Sequence, residues 1–528
     1  MRWGRASALK ARPAIRAGQI RPRSVPRPPA LTLLLAFVLA LLVCVPARAE
    51  DDRFPRVQAE TVLAEAFSAI IERHLTAVAP NDLLLWSLRG LTALDAGITG
   101  EIAEGRLTLR SGGAPIAAQV LLGAASLPQA LARSMAAMLG AGWVASAAVR
   151  EAGFERVLQS SLEEVFNHLD PYSRYVTAEE AAIARERRIG QRGLGLRLAI
   201  GPRRSVVLAT VAPGGPAALS RLRPGDRLLE IDGVRVSAED LPDAAARLEG
   251  PTGGAVTLTL ARGNQRMRVS LLRAPVPPET VTSERRDGIL YLRLSAFSQG
   301  SASQLVGALT DASLAGAPRG YVLDLRGNRG GLLPQAAAVA DVFLQSGEIL
   351  RTEGRHPDSG RSWIASGGDL AQGRPLVVLV DGRTASSAEA VAATLGDRGR
   401  AVLVGSGTTG KGLVQIVIPL PNGAELLVSW SRLIAPQGWP IQSLGVMPNL
   451  CTSLGEEATG AALLMLAEGE TPMAVPVARL RAARAPVSPE DAQRLRAPCP
   501  AAEGRDADMS AARALIARHN LYRTALQP

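Results

Sequence analysis

Lys411 is the residue whose type and setting point most directly to chemistry. The chain has 59 basic residues, yet only Lys10 and Lys411 are lysines. Arg keeps its proton in a protein, whereas a partly buried Lys can lose it and act as a base. Lys411 sits in Gly407-Thr408-Thr409-Gly410-Lys411-Gly412, a backbone that allows close packing. A lysine base needs a nucleophile, and Ser386 stands in the right kind of place. It follows the apolar run Leu376–Val380 and the turn Asp381-Gly382-Arg383, and it opens a helix beginning at Ser387. A helix N-terminus favours developing negative charge, and the Ser387 N–H beside it could help to hold an oxyanion. Two plainer readings compete. Lys411 could be a chance surface residue, and Ser386-Ser387-Ala388-Glu389 also fits a capping box that only satisfies helix N–H groups.

Asp324-Leu325-Arg326-Gly327-Asn328-Arg329-Gly330-Gly331 is a second candidate, between an apolar strand and a helix. Paired glycines let backbone N–H groups point at an anion, although such a turn is also generic. Gly193-Leu194-Gly195-Leu196 precedes a strand and could capture a terminal carboxylate, with the strand edge pairing an extended peptide; an ordinary glycine turn is the alternative. The four histidines, His74, His168, His356 and His519, lie beside no Gly-rich nucleophile turn. HExxH and CxxC are absent from the sequence, so Ser-His-Asp, zinc and thiol mechanisms lack support and no metal or cofactor is implied.

Several elements must position these residues. Residues 50–185 read as mostly helical, with apolar spacings of three and four in 57–75, 127–148 and 154–169. Residues 186–275 form a β-rich module, with expected strands at 195–200, 206–211, 227–231, 255–261 and 266–272 and a helix at 238–248. Residues 276–450 alternate strands (289–294, 321–325, 376–380, 401–404, 415–419 and 424–431) with helices (303–314, 334–344 and 387–395), as in an α/β domain. Residues 451–528 are Ala/Arg-rich and helical towards their end.

Residues 1–49 carry nine basic residues and no acid. They continue into the apolar run Leu31–Pro46 and end Ala47-Arg48-Ala49. This is the layout of a secretory signal peptide, too short for an ordinary membrane span. Membrane association would follow only if it were kept as an anchor. A lipoprotein signal at Cys44 is disfavoured by the bulky Val43. Without the leader, 50 basic and 48 acidic residues remain, so the +11 formal charge belongs mostly to the leader and nucleic-acid binding has no basis. Cys451 and Cys499 are then the remaining cysteines; in an exported chain they could form one disulfide clipping the tail to the core, or stay as two buried thiols.

Leu169-Asp170-Pro171-Tyr172-Ser173-Arg174-Tyr175, the Asp324–Gly331 turn, Thr384–Glu389 and Gly410-Lys411-Gly412, in this order around a β-rich module, resemble the C-terminal processing peptidases, or tail-specific proteases, over residues 60–450. The resemblance implies a multidomain α/β fold. Its core would be a crotonase/ClpP-like α/β peptidase core with an inserted PDZ domain and helical N- and C-terminal segments. It implies Ser386 as nucleophile, chosen over the alternative Ser387 by its spacing to the lysine, with Lys411 as general base and Gln415 orienting the amine. Oxyanion donors would be Gly330 or Gly331 and Ser387, and Asp397 would stand in a supporting role. It further implies that the PDZ domain binds and gates protein substrates with apolar C-terminal tails in a bacterial periplasm or cell envelope. The helical ends could dock an adaptor or a second copy. Tyr172 stands where the family usually has His, and Arg329 where it has Pro. Rival readings are a catalytically weak or inactive scaffold that tethers C-termini, and an acyl-CoA enzyme of the crotonase type.

Overall fold

The computed structural model describes residues 53–123 and 127–527; the expected signal peptide and Cys44 lie outside the described residues. The catalytic candidates hang from a six-stranded sheet. Its strand order is Val281–Arg286, Ile289–Leu294, Gly320–Asp324, Leu376–Val380, Val402–Gly405 and Leu450–Cys451, antiparallel at the first pair and parallel thereafter. Leu376–Val380 is an unbroken Val/Leu run because parallel strands are buried on both faces. Leu323 and Val378 face the helices Leu333–Asp341 and Ser387–Asp397. Their neighbours Val322, Val377 and Leu379 pack with Leu515 and Tyr522 from the C-terminal helices Asp506–Ala517 and His519–Leu526. The tail thus covers the second face of the sheet.

A second sheet runs in the order Arg361–Ile364, Glu348–Glu353, Glu425–Ile434 and Leu413–Pro419. The short strand Arg174–Val176 also pairs antiparallel with Glu425–Ile434. That pairing brings the 169–175 segment onto the core. The N-terminal helices Arg56–Arg73, Pro128–Ala145 and Phe154–Asn167 share a core with Leu426 and Val428 of this sheet.

The β-rich module has its own core around Leu208, Leu228, Leu258 and Leu260. Its strands run Gln265–Leu272, Ala255–Arg262, Arg227–Ile231, Val206–Val211 and Leu196–Ile200, which leaves Leu196–Ile200 at an edge. The module joins the rest of the molecule where Gln191–Gly193 pairs with Ala274–Val276. At this neck Gly190 has φ 95°, and a Cβ there would lie 1.7 Å from the Val276 carbonyl oxygen, so only glycine fits.

The structure departs from the expected elements mainly in the N-terminal region. Beside its helices stands a three-stranded antiparallel sheet, Ile98–Ala103, Arg106–Ser111 and Ala114–Val120. Only one face is buried, by residues such as Ile98, Leu107 and Leu109. Arg106–Ser111 alternates polar and apolar residues, whereas Ile98–Ala103 and Ala114–Val120 carry no such regular pattern. Strands Val281–Arg286, Glu348–Glu353 and Arg361–Ile364 also lay outside the expected set; each is rich in charged or polar residues and is held by its partners.

Candidate active site

Ser386 lies in a sharp turn between Leu376–Val380 and helix Ser387–Asp397, with φ 58° and ψ −121°. A non-glycine residue in this region is strained by about 1–3 kcal/mol and persists only where its surroundings hold it. Here they do. Asp381 Oδ1 accepts from the Thr384 N–H at 2.9 Å and the Gly327 N–H at 2.9 Å. The Ala385 N–H donates to the Asn328 carbonyl at 2.9 Å. The Ser387 hydroxyl donates to the Gly331 carbonyl at 2.9 Å. Ser386 and Glu389 stand in capping-box register. The Glu389 half closes firmly, with Oε2 accepting the Ser386 N–H at 2.7 Å.

Glu389 does more than cap. It is fully buried. Oε2 also accepts the Lys411 N–H at 2.9 Å, and Oε1 accepts from Thr408 Oγ1 at 2.5 Å and the Gly410 N–H at 2.6 Å. A single carboxylate oxygen therefore joins the backbone of the nucleophile candidate to that of the base candidate. Burial pushes the Glu389 carboxyl up, opposed by these hydrogen bonds. The Ser-x-x-Glu spacing was visible in the sequence; its second use on the 408–411 loop was not.

Burial also lowers the pKa of the Lys411 amine, and the nearby Arg174 guanidinium lowers it further, while Glu389 and Asp170 pull it back. This is the direction a lysine base requires. Nζ stands 5.0 Å from the centre of the Tyr172 ring. Among the described residues no hydrogen bond joins Ser386 Oγ to Lys411 Nζ, so the shared carboxylate links their backbones while the amine rests under an aromatic face.

The paired glycines have different parts. Gly330 has φ 94°, and a Cβ there would lie 2.8 Å from Ser386 Cβ, so its backbone presses directly on the Ser386 turn. Its N–H is already donated to Asn328 Oδ1 at 2.8 Å. The Gly331 carbonyl is held by Ser387, and among the described residues no acceptor takes the Gly331 or Ser387 N–H. Asn328, completely buried, was not singled out in the sequence; it also donates to the Leu294 carbonyl at 2.8 Å.

Residues 288–451 match the family model described as peptidase family S41, and residues 207–262 match a PDZ domain. The carboxy-terminal-processing protease of Bartonella bacilliformis is 34% identical over 304 residues, covering 56% of this chain and 69% of its own. The carboxyl-terminal-processing protease of a Synechocystis strain is 36% identical over 303 residues, covering 55% and 70%. The chain belongs to the carboxy-terminal-processing proteases of peptidase family S41. A solved photosystem II D1 C-terminal processing protease is 29% identical, covering 58% of this chain and 86% of its own, with a TM-score of 0.34.

In this peptidase the Gln415 side-chain amide is held by partners other than the amine. Its Nε2 donates to the Leu413 carbonyl at 2.9 Å and to Ser429 Oγ at 3.1 Å. Ser429 Oγ donates in turn to Asp170 Oδ1 at 2.8 Å. Asp170 also accepts from the Tyr172 N–H at 2.9 Å and from Ser173 Oγ, and faces buried His74 Nε2 at 3.0 Å. Burial raises the Asp170 pKa, but the hydrogen bonds from His74, Ser173, Tyr172 and Ser429 outweigh it and hold the carboxyl well below its ordinary range. Asp170 thus anchors both the turn carrying Tyr172 and the serine that Gln415 meets.

Asp397 lies at the opposite end of the Ser386 helix, about 16 Å along its axis at 1.5 Å per residue. It accepts from Trp439 Nε1 at 2.9 Å and pairs with Arg481 at 2.9 Å. Its contacts fasten the helix end rather than the reacting groups. In the PDZ domain, Leu194 and Gly195 carbonyls accept from the Ala217 and Ala212 N–H groups, and Gly193 pairs with Ala274. Leu196 begins the edge strand. Cys451 and Cys499 are joined as a disulfide. Among the described residues no cluster suited to a metal ion occurs.

Proposed function

We propose that the chain is an exported serine endopeptidase that cuts proteins near their C-termini, with Ser386 as nucleophile and Lys411 as general base. Neutral Lys411 takes the proton of the Ser386 hydroxyl as Oγ attacks the scissile carbonyl. The Gly331 and Ser387 N–H groups receive the negative charge that forms on the carbonyl oxygen. The lysine then gives its proton to the leaving amine, and water hydrolyses the acyl-enzyme with Lys411 again as base. For this to happen the amine must turn from the Tyr172 ring towards Ser386. The observation that carries the reading is the Glu389 oxygen that holds both backbones at once.

Export is supported by the basic, apolar and Ala-x-Ala layout of residues 1–49. Among the described residues no helix is long and apolar enough to cross a membrane. The edge strand Leu196–Ile200 and the loop before it suit a substrate C-terminus bound as an added strand. Through the short neck to the core, such binding would gate the site. The test is cleavage of a reporter protein with an apolar C-terminal tail, by wild type and by Lys411→Arg. Cleavage lost in a folded variant supports the dyad; equal cleavage by both overturns it.

A further inference from the structure

The C-terminal tail beyond residue 451 lies outside the span of the family match, yet it touches all three loops of the site. Arg496, the last residue of helix Pro489–Arg496, reaches the base loop. Its Nη2 donates to the Thr408 carbonyl at 2.7 Å, and its Nη1 to the Leu444 carbonyl at 3.0 Å and, more loosely, to those of Ser443 and Thr409. Past the disulfide, the Ala502 carbonyl accepts from Gly382 N–H at 2.7 Å and from Ser406 Oγ at 2.9 Å. The Arg505 carbonyl accepts from Arg326, in the glycine-pair turn, at 2.9 Å.

These contacts form a continuous path to the reacting groups. Thr408, held by its carbonyl on Arg496, donates its hydroxyl to Glu389, and Glu389 holds the N–H groups of Ser386 and Lys411. Space around the guanidinium is filled: a Cβ on Gly410 or on Gly445 would lie 2.9 Å from Nη1. Cys499, three residues after Arg496, is bonded to Cys451 at the edge of the core sheet. The clamp therefore has a covalent anchor next to it.

We infer that Arg496 is a positioning residue for the Ser386–Lys411 pair, acting through Thr408 and Glu389, and that the Cys451–Cys499 disulfide holds it in place. Arg suits this task because its planar fork carries several donors in fixed directions, whereas Lys offers a single ammonium. The inference rests on the dyad reading above. A displacement of the order of 1 Å at a reacting group is enough to cost about 10²-fold in rate. The tail's function would then be to set the geometry of the chemical step rather than substrate affinity.

The test compares acylation by a fluorophosphonate probe, and kcat and KM on the tailed reporter, in wild type, Arg496→Ala, Arg496→Lys and the Cys451→Ser/Cys499→Ser pair. Melting temperature and circular dichroism are measured alongside. Arg496→Ala is expected to slow acylation and kcat by about 10- to 100-fold with KM within about threefold. Arg496→Lys should recover part of the loss. The cysteine pair should lose about three- to tenfold, and Arg496→Ala should cost less in that background, because both changes loosen one path. Folded Arg496→Ala protein that is acylated at the wild-type rate overturns the inference. If that variant does not fold, wild-type rates in both Arg496→Lys and the cysteine pair overturn it. Wild-type protein that neither cleaves nor labels overturns the dyad reading itself, a different result from loss confined to the tail variants.

Discussion

Two regions of this molecule carry turns beside strand ends, and they are built in opposite ways. The turns around Ser386 and Lys411 are bonded to several distant parts of the chain. Glu389, Asp381, Asn328 and Arg496 each bridge at least two loops. The Gly193–Leu196 turn is bonded mostly inside its own module, which has a separate core and joins the peptidase through a three-residue ladder. Chemistry requires reacting atoms held to fractions of an ångström, and the over-determined turns around Ser386 and Lys411 meet that requirement. Peptide capture at a strand edge needs backbone hydrogen bonds but tolerates movement of the whole module. The comparison predicts that local damage to the first region stops the chemistry, whereas damage to the second changes which substrates reach it.

The sharpest break should come from Lys411→Arg. It keeps the charge and removes the neutral amine, so kcat should fall by at least about 10⁴-fold with an unchanged melting temperature. In the wild type, kcat/KM should rise with pH along a limb whose midpoint lies below the ordinary 10.5 of lysine, because burial disfavours the ammonium. Gly330→Ala comes next. Its Cβ would meet Ser386 Cβ at 2.8 Å in a backbone conformation that L residues rarely adopt, and acylation should slow by about 10²-fold.

Asp170→Asn probes the hub beneath Tyr172 and Gln415. Denaturant unfolding at pH 7 should show a loss of about 2–4 kcal/mol, since a buried carboxylate with several donors is replaced by an amide that must turn an N–H towards some of them. The native carboxyl is depressed, so this stabilisation is complete above the unfolded value near 3.8 and lost as pH falls towards the folded one. The difference between the two proteins should therefore be smaller at pH 3 than at pH 7.

The smallest effect on the chemistry should follow excision of the PDZ domain. Gly190 lies against Val276, so a short linker can close the gap. Fluorophosphonate acylation should change by less than about threefold, while KM for the tailed reporter rises about tenfold through lost tethering. A large fall in acylation would show that the two regions are coupled more tightly than their bonding indicates.

The residue types and their local settings were determined by the sequence alone. One of only two lysines in an arginine-rich chain, a serine after an apolar strand at a helix start, a glycine pair in a strand-to-helix turn and a β-rich insert were all legible there. Each depends on short-range periodicity or local backbone chemistry. Only the tertiary structure decided how they are joined. Glu389 reads in sequence as a cap, but the fold makes it the bridge between the Ser386 and Lys411 backbones. Gln415 meets Ser429 and Asp170, residues brought together by strand pairing. Asp397 meets Trp439 and Arg481, partners that only the fold brings to it. The strands Val281–Arg286 and Ile98–Ala103 are shaped by their partners more than by their own alternation. Arg496 was one arginine among many in a polar tail, and its meaning came from four carbonyls far away in the chain. Such long-range hydrogen bonds leave no periodic trace in a sequence, because the fold alone chooses which distant backbone groups meet.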